Sequence, residues 1–579
     1  MKRIKIFTTA ALVASLSLTL TTSSCTEGFD EMNTNPKSLP TVNPEQLFYT
    51  AEIQYLTAAH CWNTIYAAKF RWMQYGANIW GYGSTGYSYF SNAIGSSIYN
   101  EYITMGSYVT SMEYEASLTA DPDRYKILNT MARILLIAKG IQASDMYGSL
   151  AYSDAWKARN GQTDDASLKP AFDTQETLAN TWDEQLKECI NTLQTVGNGQ
   201  VEVKGNDRAY NGDKAKWVKA ANAIRLRLAS RLLKIKPEAA KAIANEVLAP
   251  GNAANIFSSN DDSFILWFDK LYTNIHGGDW HSVRDMEIAS YALMDYLNRN
   301  EDPRRRMYYV INNLTPENVA AFNADPDVIA NPQIAIPDSY GRWVGSTIIY
   351  DKWNLVDNRS RFSYYLDTDK DGNGDVDMRP ANTPQARLWK GNDNSGSGGN
   401  WAPVMTYPDF CFLAAEFVLK HGIGSNKTAQ EWYETGVRAS LDQWNAIGKF
   451  CDILNYEAMT EVEIANFLAK PDIKWSDNTD KALEQIYAQM YIEQFKNVDE
   501  AYAQWKRTGY PNTQSAIVTF EQPVIAGTPR IVPRRVKYSY PNDGVYNYDN
   551  LKARLDEMVK DPKFGEPDDE YGRVWWDAE

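Results

Sequence analysis

From Lys214 to Lys234, the residues Trp217, Ala220, Ala221, Ile224, Leu228 and Leu232 recur at helical spacing. Helix geometry brings positions i, i+3, i+4 and i+7 onto one face, whereas a strand would alternate its apolar positions in twos. Arg225, Arg227 and Arg231 share this helix and supply its polar contacts. The same amphipathic pattern predicts helices over 44–74, 94–118, 122–147, 174–196 and 214–248, and again over 408–421, 427–446, 460–470, 480–507 and 546–560. Asn43 can cap the first of these, and Pro44 fits its first helical position. Residues 251–405 differ: they are rich in Gly, Pro, Asn and Asp, with few long periodic runs. A Pro-rich irregular stretch runs from Pro511 to Pro541.

The pattern predicts a mostly α fold with long loops inserted. Consecutive helix pairs of this kind resemble the tetratricopeptide helix–turn–helix arrangement, although its consensus residues do not recur at a regular period. Five stretches follow: 1–24, a signal peptide; 25–43, a lipidated tether; 44–250, a helical-repeat part; 251–405, a loop-rich part suited to ligand binding; and 406–579, a second helical part.

The N-terminus sets the compartment. Lys2, Arg3 and Lys5 precede an apolar run from Ile6 to Leu20, and the small residues Thr21 to Ser24 lead to Cys25. That is the layout of a cleaved secretory signal, and the run is short of the roughly 20 apolar residues that span a bilayer. A cysteine at the cleavage point resembles a bacterial lipobox, with Thr22 standing where Leu is usual. The expectation is a diacylglycerol- and palmitate-type anchor on Cys25; an ordinary exported protein with Cys25 free or disulfide-bonded is the alternative. Residues 26–43 are polar and turn-rich and read as a tether. The acidic stretch after Cys25 resembles the surface-export signal of Bacteroides-type lipoproteins, which implies a protein anchored in the outer membrane and facing the exterior.

The formal net charge is −15, and the mature chain is more acidic still because three cations leave with the signal. Such a chain repels phosphate backbones and anionic lipid, which excludes nucleic acid as a partner and leaves membrane attachment to the lipid. Cys61, Cys189, Cys411 and Cys451 have no zinc-ligand spacing and are too few for a disulfide scaffold. They read as small buried apolar residues, with pairing left open. The 18 Trp and 36 Tyr far outnumber the 19 Phe. Such residues suit half-open binding surfaces as well as packing between helices.

Five late segments, in order, carry a family resemblance: Met405–Glu416, Tyr433–Ser440, Ala503–Pro511, Ile531–Tyr538 and Val574–Asp577. With the lipoprotein start and the tether sequence Asn33 to Pro36, they resemble the SusD/RagB family of outer-membrane nutrient-binding lipoproteins over essentially the whole mature chain. The resemblance implies a SusD-like fold of helical repeats under a loop-built ligand face. It also implies a non-catalytic receptor for a glycan or peptide, acting as the lid of a TonB-dependent SusC-like β-barrel transporter. Trp505, Arg507, Pro511, Arg534 and Arg535 read as scaffold, since arginines in irregular segments mostly satisfy carboxylates and carbonyl ends.

Several constellations could bind ligand or metal. Asp367, Asp369, Asp371, Asn373, Asp375 and Asp377, with Gly372 after the third aspartate, match the first half of an EF-hand calcium loop. Met378 stands at the closing position and no exit helix follows, so the expectation is a helix-less structural Ca²⁺ loop closed by Asp375 or Asp377, against a solvated acidic turn. Gly81, Gly83 and Gly86 fit a dinucleotide fingerprint by letters but lack its strand and helix. Around them, Trp80, Tyr82, Tyr87 and Tyr89 offer platforms for a sugar ring or packing surface for a helix. The other candidates for exposed aromatics are Trp280, Trp343 and Trp401, each beside glycines. Asp279, Arg342 and Asn400 could bond hydroxyls or peptide groups.

No nucleophile elbow, HExxH or P-loop appears, and His276, Asp279 and His281 match no standard metal spacing. The expected function is a receptor, not an enzyme; the alternatives are a surface glycoside hydrolase of helical fold, or a purely structural partner of the transporter.

Overall fold

The computed structural model describes residues 43–78, 92–162, 164–268, 287–330, 332, 335–337, 341–349, 382–389, 398–525 and 527–579. Helix α1 (Pro44–Ile53) begins with proline in its first turn. A second helical segment runs Ala58–His60, then through a π-helical stretch Cys61–Lys69 to Phe70–Trp72. Five longer helices follow: α2 (Asn92–Ser117), α3 (Lys126–Tyr147), α4 (Gln175–Thr195), α5 (Lys214–Leu232) and α6 (Pro237–Leu248). Each packs on the next. Beyond α7 (Tyr291–Arg299), the C-terminal helices are α8 (Tyr407–His421), α9 (Ala429–Phe450), α10 (Glu461–Leu468), α11 (Thr479–Glu493), α12 (Val498–Thr508) and α13 (Tyr548–Met558). Helix α8 contacts α9, α11, α5 and α6, so the two helical parts fold as one unit over Glu45–Glu579.

Local chemistry starts these helices. Thr174 caps α4, Asp213 caps α5, and Thr428 with Glu431 and Thr460 with Glu463 form capping boxes on α9 and α10. Gly422 and Gly509 end α8 and α12 in the left-handed conformation that favours glycine.

Three sequence boundaries are corrected. The 44–74 stretch breaks after Ile53. The 214–248 stretch breaks after Leu232, because Pro237 lacks the N–H an unbroken helix needs and instead starts α6. The 480–507 stretch breaks between Glu493 and Val498, where Lys496 turns inward and donates to Leu388 O at 2.6 Å and Asn400 Oδ1 at 2.8 Å.

Helix α5 is buried on almost every side, so its arginines must be paired. Arg225 donates to Asp183 at 2.7 Å, Arg227 to Val404 O at 2.6 Å, and Arg231 to Glu500 at 2.8 and 2.9 Å. A second buried network joins His60 to Glu101 at 2.6 Å and to Asp499 at 2.7 Å, with Lys139 and Lys69 bonded to those carboxylates. Cys61, Cys189, Cys411 and Cys451 are free thiols in the core. Among the described residues no helix is long and apolar enough to cross a membrane.

Two short antiparallel ladders bracket the middle of the chain. Strand β1 (Gly76–Asn78) pairs with β3 (Glu287–Ala289), and β2 (Phe264–Phe268) pairs with β4 (Asn400–Met405), placing Trp267 opposite Trp401.

Candidate functional site

Cys25, Trp80, Tyr82, Tyr87, Asp279, Trp280 and the metal candidates Asp367, Asp369, Asp371, Asn373, Asp375 and Asp377 lie outside the described residues. Among the described residues no cluster of three or more His, Cys, Asp or Glu is arranged to hold a metal ion.

Trp401 and Asn400 are corrected: both are core residues, 2 % and 4 % exposed. The Trp401 ring lies 5.4 Å from Trp444, edge-on, and Lys496 sits 4.9 Å above it. Asn400 Oδ1 accepts from Lys496 and from Trp401 N, each at 2.8 Å. The glycines before Asn400 therefore lead into a buried strand rather than an open loop.

Trp343 is half-buried and lines a cavity of about 370 Å³. The loop that carries it is held from several directions. Val344 N donates to Asn382 Oδ1 at 2.5 Å, while Asn382 Nδ2 donates to Val310 O at 2.8 Å and Arg342 O at 3.1 Å. Asn298, on α7, donates to Trp343 O at 3.1 Å. Gly345 lets the loop touch α7's start, since a Cβ there would come within 2.3 Å of Ser290 O. Arg342 serves the loop's base, its Nε donating to Asn312 O at 2.8 Å, and it is not among the cavity-lining residues.

The remaining walls come from the segment Glu301–Ile311 and from residues 454–466. Asp302 and Arg304 are fully buried partners beneath it, with Arg304 Nη2 donating to Asp302 Oδ2 at 2.6 Å and Nη1 to Ser440 Oγ at 2.8 Å. Arg306 makes a bidentate pair with Glu463 at 2.8 and 2.9 Å, and with help from Thr460 this holds the Glu463 carboxyl down to about 2. Gln385 pins the 454 turn to the arginine segment, accepting from Leu454 N at 3.0 Å and donating to Leu454 O at 3.0 Å and Arg306 O at 3.1 Å. Exposed Leu454, Asn455 and Asn466 form the rim. Arg305 Nη1 donates to Asn298 Oδ1 at 2.7 Å, and its guanidinium lies 4.7 Å from the centre of the Trp343 ring. An aromatic wall, a stacked cation and side-chain amides form a fixed, half-open cup suited to a polar ligand with apolar faces. A second, more open cavity of about 400 Å³ is walled by Trp505, Pro511, Phe520, Ile531 and Tyr571, among the scaffold segments, and holds none of the predicted ligand residues.

The scaffold arginines are engaged in the fold. Arg507 bonds Glu416 at 2.6 and 2.7 Å, Arg534 bonds Asp577 at 2.6 and 2.8 Å, and Arg535 donates to the carbonyls of Phe564, Val536 and Pro567.

A mostly helical scaffold with a half-open, aromatic-walled cup defines the architecture. The chain belongs to the SusD-like family, whose model, described as starch-binding and associating with the outer membrane, matches residues 36–539. Its fold is similar to that of a Bacteroidetes AC2a SusD-like protein, with a TM-score of 0.69 at 19% identity, covering 93% of this chain and 100% of that one. A chitin-binding protein superposes with a TM-score of 0.67 at 22% identity, covering 93% and 100%. A chitin-binding SusD homolog from Flavobacterium johnsoniae does so with 0.64 at 20% identity, covering 93% and 98%. No curated protein matches the sequence.

Proposed function

We propose that this protein is a cell-surface receptor that captures an oligosaccharide in the Trp343 cup and delivers it to a SusC-like TonB-dependent β-barrel. The observation that carries the reading is Trp343 itself, an indole at the wall of a cavity of about 370 Å³, on a loop whose backbone is tied to Asn298 and Asn382. A sugar ring has an apolar C–H face and a polar rim. An aromatic plane flanked by amides and a guanidinium complements both, and a prebuilt wall avoids ordering costs on binding. The family's description as starch-binding supports a glycan over a peptide. In this reading Cys25 carries the lipid, residues 26–43 form the tether, and the protein faces outward.

Native gels cast with a panel of polysaccharides test the proposal. Retarded migration without released reducing ends is the expected result. Retention by no glycan, with capture of peptides instead, refutes glycan capture, and release of reducing ends refutes the receptor in favour of a hydrolase.

A further inference from the structure

Each cation around the cup can be accounted for. Arg304 is spent on Asp302, Ser440 and Gln489. Arg306 is spent on Glu463 and on the carbonyls of Glu457 and Ala458. Arg305 differs: it lines the cavity, lies over Trp343 and, among the described residues, makes one side-chain hydrogen bond, to Asn298 Oδ1. Among the described residues no carboxylate lies within ion-pair distance of it, and burial lowers its proton affinity. A partly desolvated guanidinium with four of its five N–H groups uncommitted among the described residues is unusual in a chain of net charge −15.

The nearby carboxylates are engaged. Asp302 holds Arg304, Glu463 holds Arg306, and Glu301 pairs with Lys470 at 3.1 Å. Glu457 is exposed at the rim, where solvent screens it. Among the described residues, an incoming anion therefore meets one available cation, held 4.7 Å over the indole and hydrogen-bonded to Asn298. A planar carboxylate matches such a guanidinium through two parallel hydrogen bonds, which a neutral hydroxyl cannot reproduce.

We infer that the cup selects acidic saccharides, with Arg305 gripping the carboxylate of a uronate-type sugar while Trp343 supports its ring. This rests on the glycan-binding reading and names the class of glycan.

The test uses the mature chain and polygalacturonate, alginate, glucuronoxylan and hyaluronan, each beside its carboxyl-reduced neutral form, with dextran and dextran sulfate as further arms. Affinity gels choose a ligand and calorimetry measures it. The expected result is retention by one or more acidic polymers and not by the reduced forms. Arg305→Gln should weaken that binding about ten- to a hundred-fold, the value of a charge-assisted pair, and Arg305→Lys should restore only part of it. Thermal melts of both variants and the salt dependence of the wild type supply readouts that do not depend on a single substitution. Equal binding of acidic and reduced forms, or binding of neutral polymers only, overturns this inference and leaves glycan capture standing. Preference for dextran sulfate overturns the carboxylate assignment. Binding of no polymer overturns both readings.

Discussion

Replacing Trp343 with alanine removes the aromatic wall while leaving the loop's ties, which run through backbone atoms and Asn382. The size of the effect follows from how much indole a ligand can reach. A tryptophan offers about 150–250 Å² in all. Arg305 already lies over one face at 4.7 Å and the ring is half-buried, so a sugar meets one face, roughly 80 Å². At about 25 cal/mol per Å² this is worth about 2 kcal/mol, or about thirty-fold in affinity. Calorimetry with the polysaccharide that retards the wild type measures it, and a melt of the same sample reports stability. Trp401 is the contrast: it is 2 % exposed between Trp444 and Lys496. Trp401→Ala should cost about 3–5 kcal/mol of stability and lower the melting midpoint by roughly one degree per kcal/mol in a chain of this size. Its affinity for glycan should stay near wild type while folded. A Trp343→Ala protein that melts normally and binds glycan as tightly as the wild type would refute the cup as the binding site.

Four other outcomes are expected. Arg507→Met leaves Glu416 buried without its cation, although Tyr487 still donates at 2.9 Å, and should lose about 3–5 kcal/mol in denaturant melts; a loss below about 1 kcal/mol would contradict the pairing. Burial pushes Glu500 up, but Arg227 and Arg231 outweigh it and hold the carboxyl down to about 2. That is below its unfolded value near 4.3, so its contribution is complete above about pH 4.3 and drains away as pH falls toward 2, which fluorescence-monitored unfolding against pH would follow; a flat profile would count against it. Calorimetry with Ca²⁺ after chelation should detect binding by the Asp-rich sequence from Asp367 to Asp377, and no heat at millimolar Ca²⁺ would remove that expectation. Cys25→Ser should shift the protein from membranes to the soluble fraction, and continued anchorage would refute the lipid.

Helices were the legible part of the fold. Stripes such as Leu178, Trp182, Leu186, Cys189 and Leu193 repeat long enough to separate a helical period from a strand's. Their breaks were harder to read: even Pro237, whose missing N–H opens α6, lies inside the single stretch 214–248 that the pattern marks as one helix. The π-helical stretch Cys61–Lys69 has no distinct composition; it is flanked by His60 and ends on Lys69, both bonded to the buried Asp499. In the middle of the chain, α7 spans nine residues, too few turns for periodicity to stand out from the surrounding Gly and Pro. Trp343 and Trp401 looked alike in sequence, each beside glycines. What separates them is β4's pairing with β2, and a partner more than a hundred residues away leaves no local signature.

The arginines were the least legible part of the site, although Arg304, Arg305 and Arg306 stand in a row. Successive residues on a helical turn point about 100° apart. The short helix Arg305–Tyr308, entered from Arg304 in helical conformation, therefore sends three like side chains in three directions. Arg304 reaches the fully buried Asp302, Arg306 reaches Glu463 on α10, and Arg305 is left over Trp343 facing the cavity. The two committed arginines fix the turn from below and from the side, so the third needs no anion of its own to stay in place. The donors it leaves unpaired among the described residues are thus a consequence of how its neighbours are satisfied. That relation depends on the third dimension, and a run of identical letters cannot display it.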